Sequence, residues 1–133
     1  MTHIDLARRY VSLVANPAST FDQIRAMYAD ELEWREMPNL FAPTGRTNTL
    51  SGVAEAWRKG LEAVIDQVYD IRSAIADGDI VVLELSWQGT MAKSLGPFDR
   101  GTRLRAELVT IMRFSHGKII GQTDYPCYHP IAS

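Results

Sequence analysis

The sequence predicts an α+β domain, because apolar residues follow a helical period through most of the first half and a strand period through the second. Three separate runs within residues 2–66 place apolar side chains every three to four positions. From about residue 69 the period falls to two, and Asp77-Gly78 and His116-Gly117 interrupt the alternation as tight-turn signals.

Each element follows from local chemistry. Thr2 and Asp5 form a capping-box pattern, in which a hydroxyl accepts from the amide three residues on and a carboxylate reaches back. Ile4, Ala7, Tyr10, Val11 and Val14 then share a helical face until Asn16-Pro17 stops it, since proline lacks the next N–H and restricts its predecessor. A shorter helix opens at Ser19 with Asp22, or at Thr20 with Gln23, and turns Phe21, Ile24 and Met27 or Tyr28 inward. A strand over about residues 31–37 follows. Residues 38–51 have no period, include Pro43 and Gly45, and expose Leu40 and Phe41; a loop of this length reads as a lid or binding loop. A third helix is expected over residues 52–66, with Val53, Trp57, Leu61 and Val64 as its stripe and Glu55 near the positive end of its dipole. Tyr69, Ile71, Ser73 and Ile75 then alternate with more polar neighbours, and residues 80–90 return beside them as a hairpin partner. A loop with Gly96-Pro97 and Arg100-Gly101 leads to a strand over residues 102–114, and residues 117–128 form the last.

Three helices before a meander must cover one face of a mostly antiparallel sheet, since a half-apolar sheet is not stable alone. A twisted, curved sheet closed by helices leaves a concavity suited to a small hydrophobic molecule. The opposite face is also partly apolar. Arg103, Arg105 and Glu107 give way there to Val109 and Ile111, while Ile80 and Val82 add to it from the preceding strand. Such a face is expected to meet a partner, most simply a second copy in a homodimer.

Composition narrows the class of partner. With 133 residues and 46% apolar side chains the chain reads as one domain, 1–133, with a substantial core. Sixteen acidic against fourteen basic residues give a formal charge of -2, which argues against nucleic acid because phosphate binding relies on clustered cations. No membrane partner is expected without a run of about 20 apolar residues. Cys127 has no cysteine to pair with, and the first residues lack a leader pattern, so a cytoplasmic location is expected. His3, His116 and His129 are too scattered to suggest a metal site.

The stretch TIMRFSHGKIIGQTDYPCY, residues 110–128, resembles the end of the SnoaL-like polyketide cyclases and limonene epoxide hydrolases. These belong to the superfamily that includes nuclear transport factor two and ketosteroid isomerase. The resemblance implies a cone-shaped, cystatin-like fold across the whole chain. It matches Asp124 to the acid/base aspartate of the cyclases, which would point it into the cone. EWREMP, residues 33–38, is similar to the epoxide hydrolase segment whose tyrosine and asparagine hold the attacking water; Trp34 and Glu36 stand at those positions. The Arg-x-Asp pair of those hydrolases falls on Leu85 and Trp87, so their catalytic set is incomplete here. Met37 stands where ketosteroid isomerases carry their base, and Tyr10 lies where their catalytic tyrosine would be.

On this reading Asp124 and Glu36 are the catalytic carboxylates, and Tyr10, Trp34, Phe41, Trp57, Leu83, Leu85, Trp87 and Leu104 line their pocket. Burial and like charge would make such a pair hold a proton reluctantly lost, fit for general acid/base work near neutral pH. Isomerisation or ring closure of a hydrophobic carbonyl or polycyclic compound then needs no metal or organic cofactor. The competing readings are a binding protein that keeps the cavity, a dimerisation module, and an incomplete epoxide hydrolase. For Asp124 itself, the plain alternative is a turn cap or an ion pair with Arg105 or Arg113.

Overall fold

The computed structural model describes residues 1–131. Its elements run α1 (His3–Ala15), α2 (Phe21–Arg25), β1 (Tyr28–Glu36), β2 (Arg46–Asn48), α3 (Leu50–Ala63), β3 (Val64–Asp77), β4 (Ile80–Met91), β5 (Arg103–Ser115) and β6 (Lys118–Tyr128). The six strands form one sheet in the order β2-β1-β6-β5-β4-β3, antiparallel except where β1 lies parallel to β6. Three helices on a mostly antiparallel sheet are the α+β arrangement expected. The sheet is open, not the closed cone that the resemblance implies: β2 and β3 are separate edges, and the three-residue β2 has no strand beyond it to carry pairing round.

Both reciprocal bonds of the Thr2–Asp5 capping box are present, and α2 uses the Thr20–Gln23 box of the two candidates. α3 starts at Leu50 and ends at Ala63, so residues 64–66 are strand and not the expected last turn of helix. Val64 and Ile65 are β-branched and fit a pleated surface better than a helix end. The sheet is adjusted there by a register shift between Ile65 and Val68, with Asp66 at φ 53 and its carbonyl accepting from Arg103 Nη1 at 2.9 Å. A second shift between Ile71 and Ser73 reverses the later half of β3. Tyr69 and Ile71 face the helices, whereas Ile75, expected on the same side, points outward and is 64% exposed.

The expected lid is a built hairpin. β2 pairs with the end of β1, and Asn39 closes the turn through exchanged backbone bonds with Ala42. Gly45, at φ 74, lies so near the carbonyl of Glu36 that a Cβ would meet it at 2.8 Å. Leu40 is exposed, but Phe41 packs against Phe98 in a tilted contact and against Tyr128 edge to face.

Two apolar clusters form the core, and the larger holds the helices to the sheet. The larger joins Ala7, Val11, Ile24 and Val53 of the helices to Val81, Leu83, Leu85, Met112, Phe114 and Ile119 of the sheet. The smaller gathers Trp87, Met91, Phe98, Leu104 and Ala106. Each large side chain so buried contributes about 1.5–3 kcal/mol.

Candidate active site

Along β6 the side chains of Gln122, Asp124, Pro126 and Tyr128 alternate toward the helices, in register with Met112, Thr110, Leu108 and Ala106 of β5. On the other side Glu36 of β1 pairs with Asp124, and the backbone of Met37 donates to the Asp124 carbonyl at 2.9 Å. β1 ends there. Pro126 therefore lies past the last β1 pairing, where a missing N–H breaks no ladder bond to that strand.

Asp124 Oδ1 accepts from the Thr110 hydroxyl at 2.9 Å and from Gln122 Nε2 at 3.2 Å, with a longer contact from Gln122 to Oδ2 at 3.4 Å. The Gln122 oxygen accepts from the Tyr28 hydroxyl at 3.4 Å, and Tyr28 and Tyr10 share a 2.6 Å hydroxyl bond. A chain of polar groups thus runs from α1 through β1 to the carboxyl group. Burial raises the Asp124 pKa to about 6, against the opposing hydrogen bonds from Gln122 and Thr110; the Glu36 charge adds a smaller push upward. Burial and then the Asp124 charge lift Tyr10 to about 12, and burial lifts Tyr28 well above the ordinary range. Both phenols remain protonated at neutral pH.

Asp124 opens into a cavity of about 470 Å³ whose wall is mostly aromatic and aliphatic. That volume falls within the usual range for small-molecule sites, about 300–1,000 Å³. Of the residues expected around it, Tyr10, Trp34, Glu36, Phe41, Trp57, Trp87 and Leu104 line the cavity with Asp124. Leu83 and Leu85 do not. Both face inward, but they belong to the main core, where α1 packs against β4. Leu61, placed on the inner stripe of α3, is 40% exposed.

Glu36 is at the rim, 3.0 Å from Arg46 Nε across the β1–β2 pair. Its Oε2 is enclosed and accepts no well-directed hydrogen bond from the described residues. Glu36 is therefore an acid with a cationic partner of its own, and not simply half of an isolated carboxyl pair. Arg105 and Arg113, considered as partners for Asp124, are exposed at outward-facing register positions.

Sequence reasoning missed Thr110, Gln122, Tyr28, Arg46 and Gln67. Their roles depend on cross-strand register, and only Arg46 carries a local signal, two residues before the end of a hairpin strand. His3 bonds the Gly78 carbonyl and stacks on Phe114, while His129 bonds Glu107. Among the described residues no group of three or more His, Cys, Asp or Glu is placed to hold a metal ion, and no helix is long and apolar enough to cross a membrane.

The family described as the SnoaL-like domain matches residues 7–122, from the first helix to the strand that carries Asp124. The chain belongs to this family. No curated protein matches its sequence. Among solved structures, this SnoaL-like chain is similar to a SnoaL-like polyketide cyclase from Agrobacterium tumefaciens, with 18% identity, a TM-score of 0.74, and coverage of 96% of this chain and 92% of the other. An NTF2-like protein from Burkholderia thailandensis gives the same four values. An LEH-like epoxide hydrolase from M. tuberculosis is similar at 18% identity and a TM-score of 0.72, over 94% of this chain and 82% of the other. Likeness at this identity establishes the shared fold and leaves the reaction to the site. In this SnoaL-like chain Leu85 and Trp87, aligned above with an Arg-x-Asp pair, bring no formal charge to the cavity.

Proposed function

We propose that the protein is a cofactor-free acid/base enzyme, an isomerase or cyclase, acting on a hydrophobic carbonyl or polycyclic compound. The observation that carries this reading is Asp124: a carboxyl group of pKa about 6 that faces an apolar cavity of about 470 Å³. A base is most useful when its pKa is near the working pH, and a positioned one contributes about 10²–10⁴-fold.

Ionised Asp124 takes a proton from the carbon beside the substrate carbonyl, and the electron pair moves into the enolate. The protonated carboxyl then returns its proton to a different carbon, which isomerises the substrate. Alternatively the enolate carbon attacks a second carbonyl in the same molecule, and the acid protonates the new alkoxide, which closes a ring. Thr110 and Gln122 orient the carboxyl group through Oδ1, and the Trp34 indole of the cavity wall donates to the carboxyl group as well. Glu36 assists by its charge at the rim, where Arg46 holds it.

The test is deuterium exchange into 2-tetralone in D₂O at pH 7, followed by loss of the proton signal beside the carbonyl. The native protein is expected to exceed the buffer rate at least tenfold, and Asp124→Asn to abolish the excess. A native rate equal to buffer, or one indifferent to Asp124→Asn, contradicts the proposal and leaves a binding protein as the better reading.

We also propose a homodimer through the outer sheet face. Ile75, Val82 and Ile111 form one cross-strand row there, flanked by Ile80, Val109 and Tyr125. Ile75 and Tyr125 are exposed in the single chain, and an apolar patch of this kind favours a self-complementary contact.

A further inference from the structure

Gln67 has no part in the chemistry assigned to Asp124, yet it carries the most specific unsatisfied polar geometry in the cavity. It sits in β3 inside the register shift between Ile65 and Val68 and lines the cavity wall. Trp87 Nε1 lies 3.0 Å from one end of its amide, and the Tyr69 hydroxyl lies 3.3 Å from the same atom. An indole N–H donates and never accepts, so the atom it meets is the amide oxygen. Chemistry therefore decides which way the amide is turned.

The consequence concerns the other end. Two donors occupy both lone pairs of Oε1, and Nε2 is left with two N–H groups for which no acceptor is found among the described residues. Nor is Nε2 sealed away, since Ser19 Oγ and Glu36 Oε2 are the buried side-chain polar atoms without a hydrogen bond among those residues. Val64, Met91, Leu104 and Ala106 make the surrounding wall apolar. A fixed donor in such a wall is the kind of isolated polar group by which a hydrophobic site reads its ligand.

Gln67 and Asp124 belong to β3 and β6, with β4 and β5 between them. Asp124 pairs with Thr110 of β5, whereas Gln67 lies level with about Leu104, so an offset of about 20 Å along the strands adds to three strand spacings of about 14 Å across them. Both residues line one cavity from well-separated positions, which suits a fused-ring system better than a small ketone.

We propose that Gln67 is a specificity-determining residue, donating an N–H to an acceptor oxygen at the end of a polycyclic ligand remote from Asp124. The inference rests on the reading of this cavity as the ligand site, and it is independent of the reaction at Asp124. The ligand class is thereby narrowed to ring systems that bear a carbonyl or quinone-type oxygen away from the reacting carbon.

The probes are 9-fluorenone and fluorene, which share a skeleton and differ in the carbonyl. Binding is read at pH 8 from quenching of the fluorescence of Trp34, Trp57 and Trp87, and the carbonyl stretch of bound fluorenone is read by infrared difference spectroscopy. At that pH Asp124 is ionised and cannot donate. The native protein is expected to bind fluorenone about tenfold more tightly than fluorene, as one satisfied hydrogen bond predicts, with the stretch shifted to lower wavenumber. Gln67→Glu keeps the acceptor for Trp87 and Tyr69 but removes the N–H donors. It should lose both the preference and the shift while binding fluorene within about twofold of native, and Gln67→Met should do the same. The proposal is overturned by no native preference, including binding of neither probe, by a preference that survives Gln67→Glu, or by one that disappears instead in Tyr128→Phe. Fluorenone has no hydrogen beside its carbonyl to exchange. A failed exchange assay with an intact fluorenone preference therefore removes the reaction and keeps the Gln67 site, and the reverse pattern removes only the site.

Discussion

Asp124 is poised between burial, which disfavours its charge, and the Thr110 and Gln122 donors, which favour it. Thr110→Val removes a donor to the charged form, so the Asp124 midpoint in an NMR titration should rise above about 6; a fall would contradict the assignment. Stability follows with a definite sign. The folded pKa lies above the ordinary value of 3.8, so between about 4 and about 6 the folded state holds a proton the unfolded chain has released. Stability falls as pH rises through that window, and the cost is complete above it. A shift of about two units corresponds to at most about 3 kcal/mol. Asp124→Asn should accordingly be roughly 1–3 kcal/mol more stable than native at pH 8 in urea denaturation, with no such gain at pH 3.5; equal stability at pH 8 would count against a costly buried charge. Asp124 was legible because an acid stands out in an apolar strand. Thr110 and Gln122 were not, because they are ordinary strand residues until register brings them to one carboxyl group.

At the scale of elements, helix starts are written in side chains that cap them, while strand phase depends on shifts that no local pattern marks. Thr2→Ala removes the hydroxyl that accepts from the Asp5 amide at 3.0 Å and should cost about 1 kcal/mol by urea denaturation. A loss below a few tenths would show that the cap contributes nothing. The two shifts in β3 explain why Ile75 faces outward and Gln67 inward, and alternation alone could report neither. The same limit explains Leu83 and Leu85: periodicity assigns them to the inner face, but whether a helix or a cavity lies above them depends on where α1 crosses. Gly89 offers a direct check on that face. A Cβ there would lie 2.5 Å from Val64 Cγ1 and 2.6 Å from Trp87 Cζ2, so Gly89→Ala must push one of them aside. The expected loss is about 1–3 kcal/mol, with altered Trp87 emission as its indole moves from Gln67. An unchanged midpoint and spectrum would contradict the packing.

Across the whole molecule, the order of helices and strands apart from β2 was readable because it follows period and turn chemistry. The openness of the sheet was not, since closure depends on the length of edge β2, hidden in a segment with no period. The outer face carries the proposal for assembly. Ile111→Asp places a charge between Val82 and Thr123 in the cross-strand row and should convert a dimer to a monomer in sedimentation velocity while the far-ultraviolet dichroism stays native. A native protein that sediments as a monomer would remove the proposed interface. The shared fold of a cyclase and an epoxide hydrolase cannot choose between their reactions, so the functional reading depends on the cavity.

The ionisation of Asp124 tests that reading most directly. Its carboxyl carbon can be followed by NMR across pH 3–9 in the native protein and in Glu36→Gln. A native midpoint near 6 that falls modestly in the variant is predicted, because burial is the leading cause and the Glu36 charge a lesser one. A midpoint near 4, unchanged by the substitution, would mean a well-solvated carboxylate and would contradict acid/base catalysis by Asp124 in an apolar site.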